Sequence, residues 1–196
     1  MVWVVLASIL GGTLLLAGFP KLRDRDGLLT VVQGYRLLPA GAERGVATAL
    51  PFVEVAVGIA LILGIGGPWP AAAAAALLFA AFTAGLTVNL VRGRRDLDCG
   101  CFAFGAHEVP RIGWFHAGRA ASFAAAALVL ASAGTVDATA PERVAAVVGG
   151  LLAVLAVVAV AQIRSVVHVG RRPVDDYLTA ASIRLRATST VSRYGS

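Results

Sequence analysis

Residues 46–65, VATALPFVEVAVGIALILGI, carry a single ionisable side chain, Glu54, in an otherwise apolar and small-residue run. A helix rises about 1.5 Å per residue, so a run of this length crosses a hydrocarbon core of about 30 Å. Four other runs have the same character: Val2–Phe19, Ala71–Val91, Trp114–Gly134 and Val144–Ile163. The chain of 196 residues is 58% hydrophobic and only 14% charged. Its mean hydropathy is +0.81. Soluble domains are about half apolar and a quarter charged, so this composition belongs to the membrane class. The expected fold is an all-α membrane protein, a bundle of about five transmembrane helices. Residues 1–165 form the helical domain, and residues 166–196 form a basic, flexible cytoplasmic tail. The first run is followed rather than preceded by basic residues, which marks a retained helix instead of a cleaved leader.

The connections between these runs alternate in charge. Residues 20–45 hold Lys21, Arg23, Arg25, Arg36 and Arg44, whereas residues 66–70 hold no basic side chain. Residues 92–113 hold Arg92, Arg94, Arg95 and Arg111; residues 135–143 hold Arg143 alone; the tail holds six arginines from Arg164 onward. Counted by side, this is 15 against one. The positive-inside rule then predicts an outside N-terminus and a cytoplasmic C-terminus. The net charge of +6 accordingly serves topology and contact with anionic lipid headgroups, not nucleic acid. The apolar stretch 28–38 is too short to span and reads as an interfacial or re-entrant piece ending at Pro39.

Two cysteines, Cys99 and Cys101, stand in Asp98-Cys99-Gly100-Cys101-Phe102, between the third and fourth spans. The thiolate is the reactive form, and nearby cations such as Arg92, Arg94 and Arg95 favour it. Gly100 relaxes the backbone enough for the sulfurs to approach. A disulfide across one residue is strained and therefore suited to exchange. Redox chemistry, soft-metal binding and two inert thiols all fit this pattern. A cysteine pair followed by His107 six residues on does not have zinc-site spacing, so no metal site is assigned.

Glu54 is costly inside a span and needs a partner or a task. Arg119 is the one basic residue deep inside an expected span. With the spans starting at Val46 and Trp114, Glu54 lies about 12 Å and Arg119 about 8 Å from the cytoplasmic end. A Glu54–Arg119 ion pair is therefore expected. His116, Arg119, Ala120 and Phe123 share a helix face, and that face should point inward. Asn89 approaches from the preceding span. His116 reads either as a base for a cysteine or as a hydrogen-bonded structural residue. The candidate site is Cys99, Cys101, Glu54, Arg119 and His116 at one end of the bundle.

Three ordered features resemble the MauE branch of the MauE/DoxX-like membrane protein family. The first is Phe19-Pro20-Lys21-Leu22-Arg23-Asp24, with Gly34-Tyr35-Arg36-Leu37-Leu38-Pro39 soon after. The second is Leu50-Pro51-Phe52-Val53-Glu54 with Gly58. The third is Asn89-Leu90-Val91-Arg92-Gly93 leading into the cysteine motif, and Arg119 matches a basic residue of the next helix. One departure is Ala103 after Cys101-Phe102, where the family pattern has glycine. The resemblance implies a four-helix DoxX-like core plus one C-terminal helix, in the plasma membrane of a bacterium. It further implies a thiol–disulfide redox role in maturing a partner such as methylamine dehydrogenase, beside a thioredoxin-like protein. A non-catalytic scaffold subunit of a membrane redox complex is the alternative. No cofactor is assigned. The charge rule sets the cysteines on the cytoplasmic face, away from an external substrate. A conformational change or a quinone would then link the two faces; otherwise the charge rule fails and the loop faces out.

Overall fold

The structure is a computed structural model. It describes residues 2–65, 68–95, 97, 112–132 and 139–169. Six helices appear among these: α1 (Val2–Arg23), α2 (Arg25–Tyr35), α3 (Ala40–Leu63), α4 (Pro68–Val91), α5 (Trp114–Ser132) and α6 (Ala140–Val169). All except α2 are long and apolar enough to cross a bilayer. The five expected spans are thus present, and the described residues contain no strand. The chain divides into two compact units, Met1–Val154 and Leu155–Ser196. In the second, Leu155–Val169 is helical, and Leu155, Val157, Val160 and Ile163 are exposed.

Antiparallel helices pair in order of connection: α1 lies along α3, and α4 along α5. In lipid there is little hydrophobic drive between helices, so close approach through small residues does the work. A Cβ on Gly11 would stand 2.7 Å from the carbonyl oxygen of Gly58, and one on Gly58 2.9 Å from that of Gly11. Gly18 abuts Val55, Glu54 and the Pro51 carbonyl oxygen in the same way. The α1–α3 seam is therefore backbone against backbone. Gly150 of α6 meets Ser8 of α1, and Gly12 meets Leu151 and Val154. The α4–α5 seam is built from alanines, among them Ala72, Ala75 and Ala127, together with Phe79. Phe79 packs on Phe123 of α5 with ring centroids 5.3 Å apart.

Two helix bounds differ from the sequence reading in ways that matter. The first run continues past Phe19, through Pro20, to Arg23, so Lys21 belongs to the last turn of α1. Cations there complement the helix dipole. α3 begins at Ala40, ahead of the expected start at Val46, and holds Pro51 in its interior. A mid-helix proline forfeits one backbone hydrogen bond, a loss that spans tolerate when neighbouring helices bury the site. Pro51 is fully buried.

The segment between α1 and α3 is an 11-residue amphipathic helix, α2. Asp24 caps it, accepting from the Gly27 amide at 2.9 Å. That close wrap needs the missing side chain of Gly27, because a Cβ there would meet the Asp24 carboxylate at 2.2 Å. Leu28, Val31, Val32 and Tyr35 fall at i, i+3, i+4 and i+7, and that apolar face turns toward α3 and α4.

Candidate functional site

Glu54 is completely buried, and its partner is Lys21, not the expected Arg119. Lys21 Nζ donates to Glu54 Oε1 at 2.5 Å. The antiparallel register explains how they meet. Gly18 faces Pro51, so three residues further along α1 Lys21 stands level with Thr48, and Glu54 lies about 9 Å deeper. Every Cα–Cβ bond tilts toward its own helix N-terminus. Lys21 therefore leans into the bilayer and Glu54 leans back toward the end of α1. The four-carbon lysine stem closes the remaining gap, which an arginine could also reach but with a bulkier head. The lysine head group also lies over the Phe82 ring, 5.2 Å from its centroid, a favourable cation–π contact.

The pair is not fully satisfied. Glu54 Oε2 is buried with no hydrogen-bond partner. An ammonium has three donors, and this one spends a single hydrogen bond on Glu54. Unspent polar capacity in a buried position costs stability, so an ionisable pair inside a span has either a task or a register-setting role.

On the far side of Phe82, His116 and Arg119 line a small cavity together with Thr13 and Ala17 of α1, and Phe82 lines it too. Its volume of about 30 Å³ is enough to hold a water molecule. His116 Nδ1 accepts from the Gly113 amide at 3.2 Å, so it caps the start of α5 and leaves Nε2 for other work. Of the expected constellation, His116 and Arg119 line the cavity beside Phe82, while Glu54 is linked to that ring only through Lys21. Cys99, Cys101 and His107 lie outside the described residues. Among the described residues no cluster of His, Cys, Asp or Glu could hold a metal ion.

The base of the cysteine segment is described, and it is anchored. The Ile112 amide donates to the Arg95 carbonyl at 3.0 Å, which closes the two ends of the segment on one another. Leu97 and Ile112 pack with Leu86, Leu90, Ala117 and Ala120 at the α4–α5 end. Arg94 does the joining. Its guanidinium donates to the Gly34 carbonyl at 2.7 Å, to the Tyr35 carbonyl at 3.3 Å and to Asn89 Oδ1 at 3.2 Å. A cation on the last carbonyls of α2 satisfies groups the helix cannot. Asn89 is fully buried and donates to the Gly85 carbonyl at 3.0 Å, which holds its oxygen toward Arg94.

The sequence reading leaves Lys21 and Arg94 out of the candidate site, counting both as topology charges and Arg94 also as a cation near the thiols. One signal was available: Lys21 is the single lysine among 17 basic residues, placed directly after the first apolar run.

Fold and site together define a multi-pass helical membrane protein with an internal, incompletely satisfied ion pair and with the described flanks of its cysteine stretch, Arg95 and Ile112, joined to one another. Comparison with known proteins places it further. Residues 1–133 match the family model described as methylamine utilisation protein MauE, and the chain belongs to that family. It is 39% identical over 137 residues to the methylamine utilization protein MauE of Paracoccus denitrificans, covering 70% of this chain and 71% of the relative. The protein of that name from Methylophilus methylotrophus is 40% identical over 116 residues, 59% of this chain and 60% of the relative. That from Paracoccus versutus is 38% identical over 148 residues, 76% and 77% respectively. No solved structure matches the chain significantly. The family match takes in α1–α5, both cysteines, and the Lys21–Glu54 pair, and it stops before α6.

Proposed function

We infer that this chain is a membrane thiol–disulfide redox protein acting through Cys99 and Cys101. In the balanced step, a Cys99–Cys101 dithiol gives two electrons and two protons to a partner disulfide and becomes the intramolecular disulfide. The reverse step oxidises a partner dithiol. The observation that supports the reading lies in the described flanks of the Cys-Gly-Cys stretch: Arg95 and Ile112 are hydrogen-bonded to one another, and Arg94 is tied to the end of α2. Two thiols on a fixed base, with arginines beside it, suit exchange with a docking partner. Family membership supports a role in methylamine utilisation; the reading adds a partner redox protein as the object of maturation and a thioredoxin-like protein as the thiol partner. The charge count supports an outside N-terminus and a cytoplasmic C-terminus in a bacterial plasma membrane.

The test is thiol alkylation in intact membranes before and after a mild oxidant, with impermeant and permeant reagents. Both thiols should be lost together on oxidation and return with reductant. Impermeant reagent should reach them from the cytoplasmic side. Thiols that stay reduced under oxidant, together with full function of Cys99→Ser and Cys101→Ser in a Paracoccus denitrificans strain lacking its own MauE, would overturn the reading. In that event the chain is a scaffold subunit. The buried Lys21–Glu54 pair favours this second reading, because pairs of this kind set helix register.

A further inference from the structure

A cavity of about 260 Å³ lies between the apolar face of α2 and helices α3 and α4. Leu28, Val31 and Val32 of α2 form one wall, and Phe82 and Leu86 of α4 form another. Leu37, Leu38, Val46 and Ala81 also line it and are themselves exposed, so the cavity opens sideways at its rim. One polar side chain enters the lining other than Tyr35, and it is Lys21. Lys21 is 4% exposed, its charge is matched by Glu54, and among the described residues its one hydrogen bond is to Glu54, against the three that an ammonium can donate.

We propose that this cavity binds a membrane-dissolved quinone, with a ring carbonyl accepting from Lys21 and the isoprenoid tail leaving through the rim into the bilayer. Each feature of the site selects that chemistry. The walls are apolar and aromatic, so the body of the ligand is apolar or a flat ring. The buried donors require an acceptor, which the end of an acyl chain lacks. The Lys21–Glu54 pair is neutral as a whole, so a neutral carbonyl is favoured over a carboxylate or phosphate, whose charge would compete with Glu54. The volume falls just below the range of about 300–1,000 Å³ for sites that enclose a whole drug-sized ligand. It therefore takes a substituted ring and the first part of a tail, with the remainder in lipid. The site is assigned from geometry alone and stands whether or not the thiols react.

The experiment uses the full chain in phosphatidylcholine nanodiscs with a photoreactive azido-ubiquinone, and reads crosslinked peptides by mass spectrometry. Labelling should saturate, concentrate within residues 28–38 and 81–86, and be displaced by decyl-ubiquinone. Ala81→Phe places a ring at the rim from an exposed position, so the fold is kept and thermal melting checks it. That variant should weaken labelling about tenfold or more, and so should the charge-balanced double variant Lys21→Met with Glu54→Gln, which removes the donor without stranding a charge. Cys99→Ser with Cys101→Ser should leave labelling unchanged, which separates this site from the thiol reading. Labelling spread along all lipid-facing helix surfaces, labelling indifferent to Ala81→Phe, or a phospholipid that co-purifies with the wild type and is lost in Ala81→Phe would overturn the proposal.

Discussion

The two long seams of the molecule solve the same problem differently. Along α1–α3, glycines at 11, 18 and 58 bring backbones into contact, and the seam ends at a buried ion pair. Along α4–α5, alanines and the Phe79–Phe123 contact fill the space, and the seam ends at the anchored base of the cysteine segment. The first seam has no slack in its shape and carries a polar liability. The second is apolar and can absorb small changes by moving side chains. Tight backbone packing is what makes the liability tolerable, because it holds Glu54 buried against Lys21.

Breaking the pair should have the largest effect. Lys21→Met or Glu54→Leu alone leaves an uncompensated buried charge, a loss of about 3–5 kcal/mol. Thermal melting of purified protein in nanodiscs would register either as severe destabilisation or as failure to accumulate. Next comes Arg94→Ala, which strips the charge-assisted hydrogen bonds from the end of α2 at about 1.5–3 kcal/mol for a bond of that kind. Hydrogen exchange should show α2 opening while α4 and α5 stay protected. Gly58→Ala should then cost about 1–3 kcal/mol, because its Cβ has no room against Gly11. Gly118→Ala is the smallest and has the opposite sign. Its Cβ would meet nothing within 4 Å, so the gain in helix propensity, about 0.5–1 kcal/mol, should appear as a small stabilisation.

The spans were legible in the sequence because bilayer thickness imposes a length and an apolarity that few other folds require. Glu54 was legible as a group in need of a partner for the same reason. Its partner was not. Lys21 reads as a loop charge when α1 is taken to end at Phe19, and depth measured along each helix separately then favours Arg119. What decides the pairing is the offset set by Gly18 against Pro51, together with the opposite tilts of side chains on antiparallel helices. Neither is visible before the helices are docked. The Asn89–Arg94–α2 connection was hidden likewise, since it joins residues about 60 positions apart in sequence, and an arginine next to a cysteine motif suggests thiol tuning before it suggests a helix cap. The cavity under α2 follows from the apolar stripe at 28, 31, 32 and 35 meeting α4, a meeting that periodicity on its own does not disclose.

The most direct check is a pair of double-mutant cycles on thermal stability in nanodiscs, one joining Lys21→Met to Glu54→Gln and the other joining Arg119→Met to Glu54→Gln. The account predicts strong coupling in the first, with the double variant recovering much of what each single change loses, and near-additivity, within about 0.5 kcal/mol, in the second. Additive losses for Lys21 and Glu54, or coupling that instead follows Arg119, would contradict it.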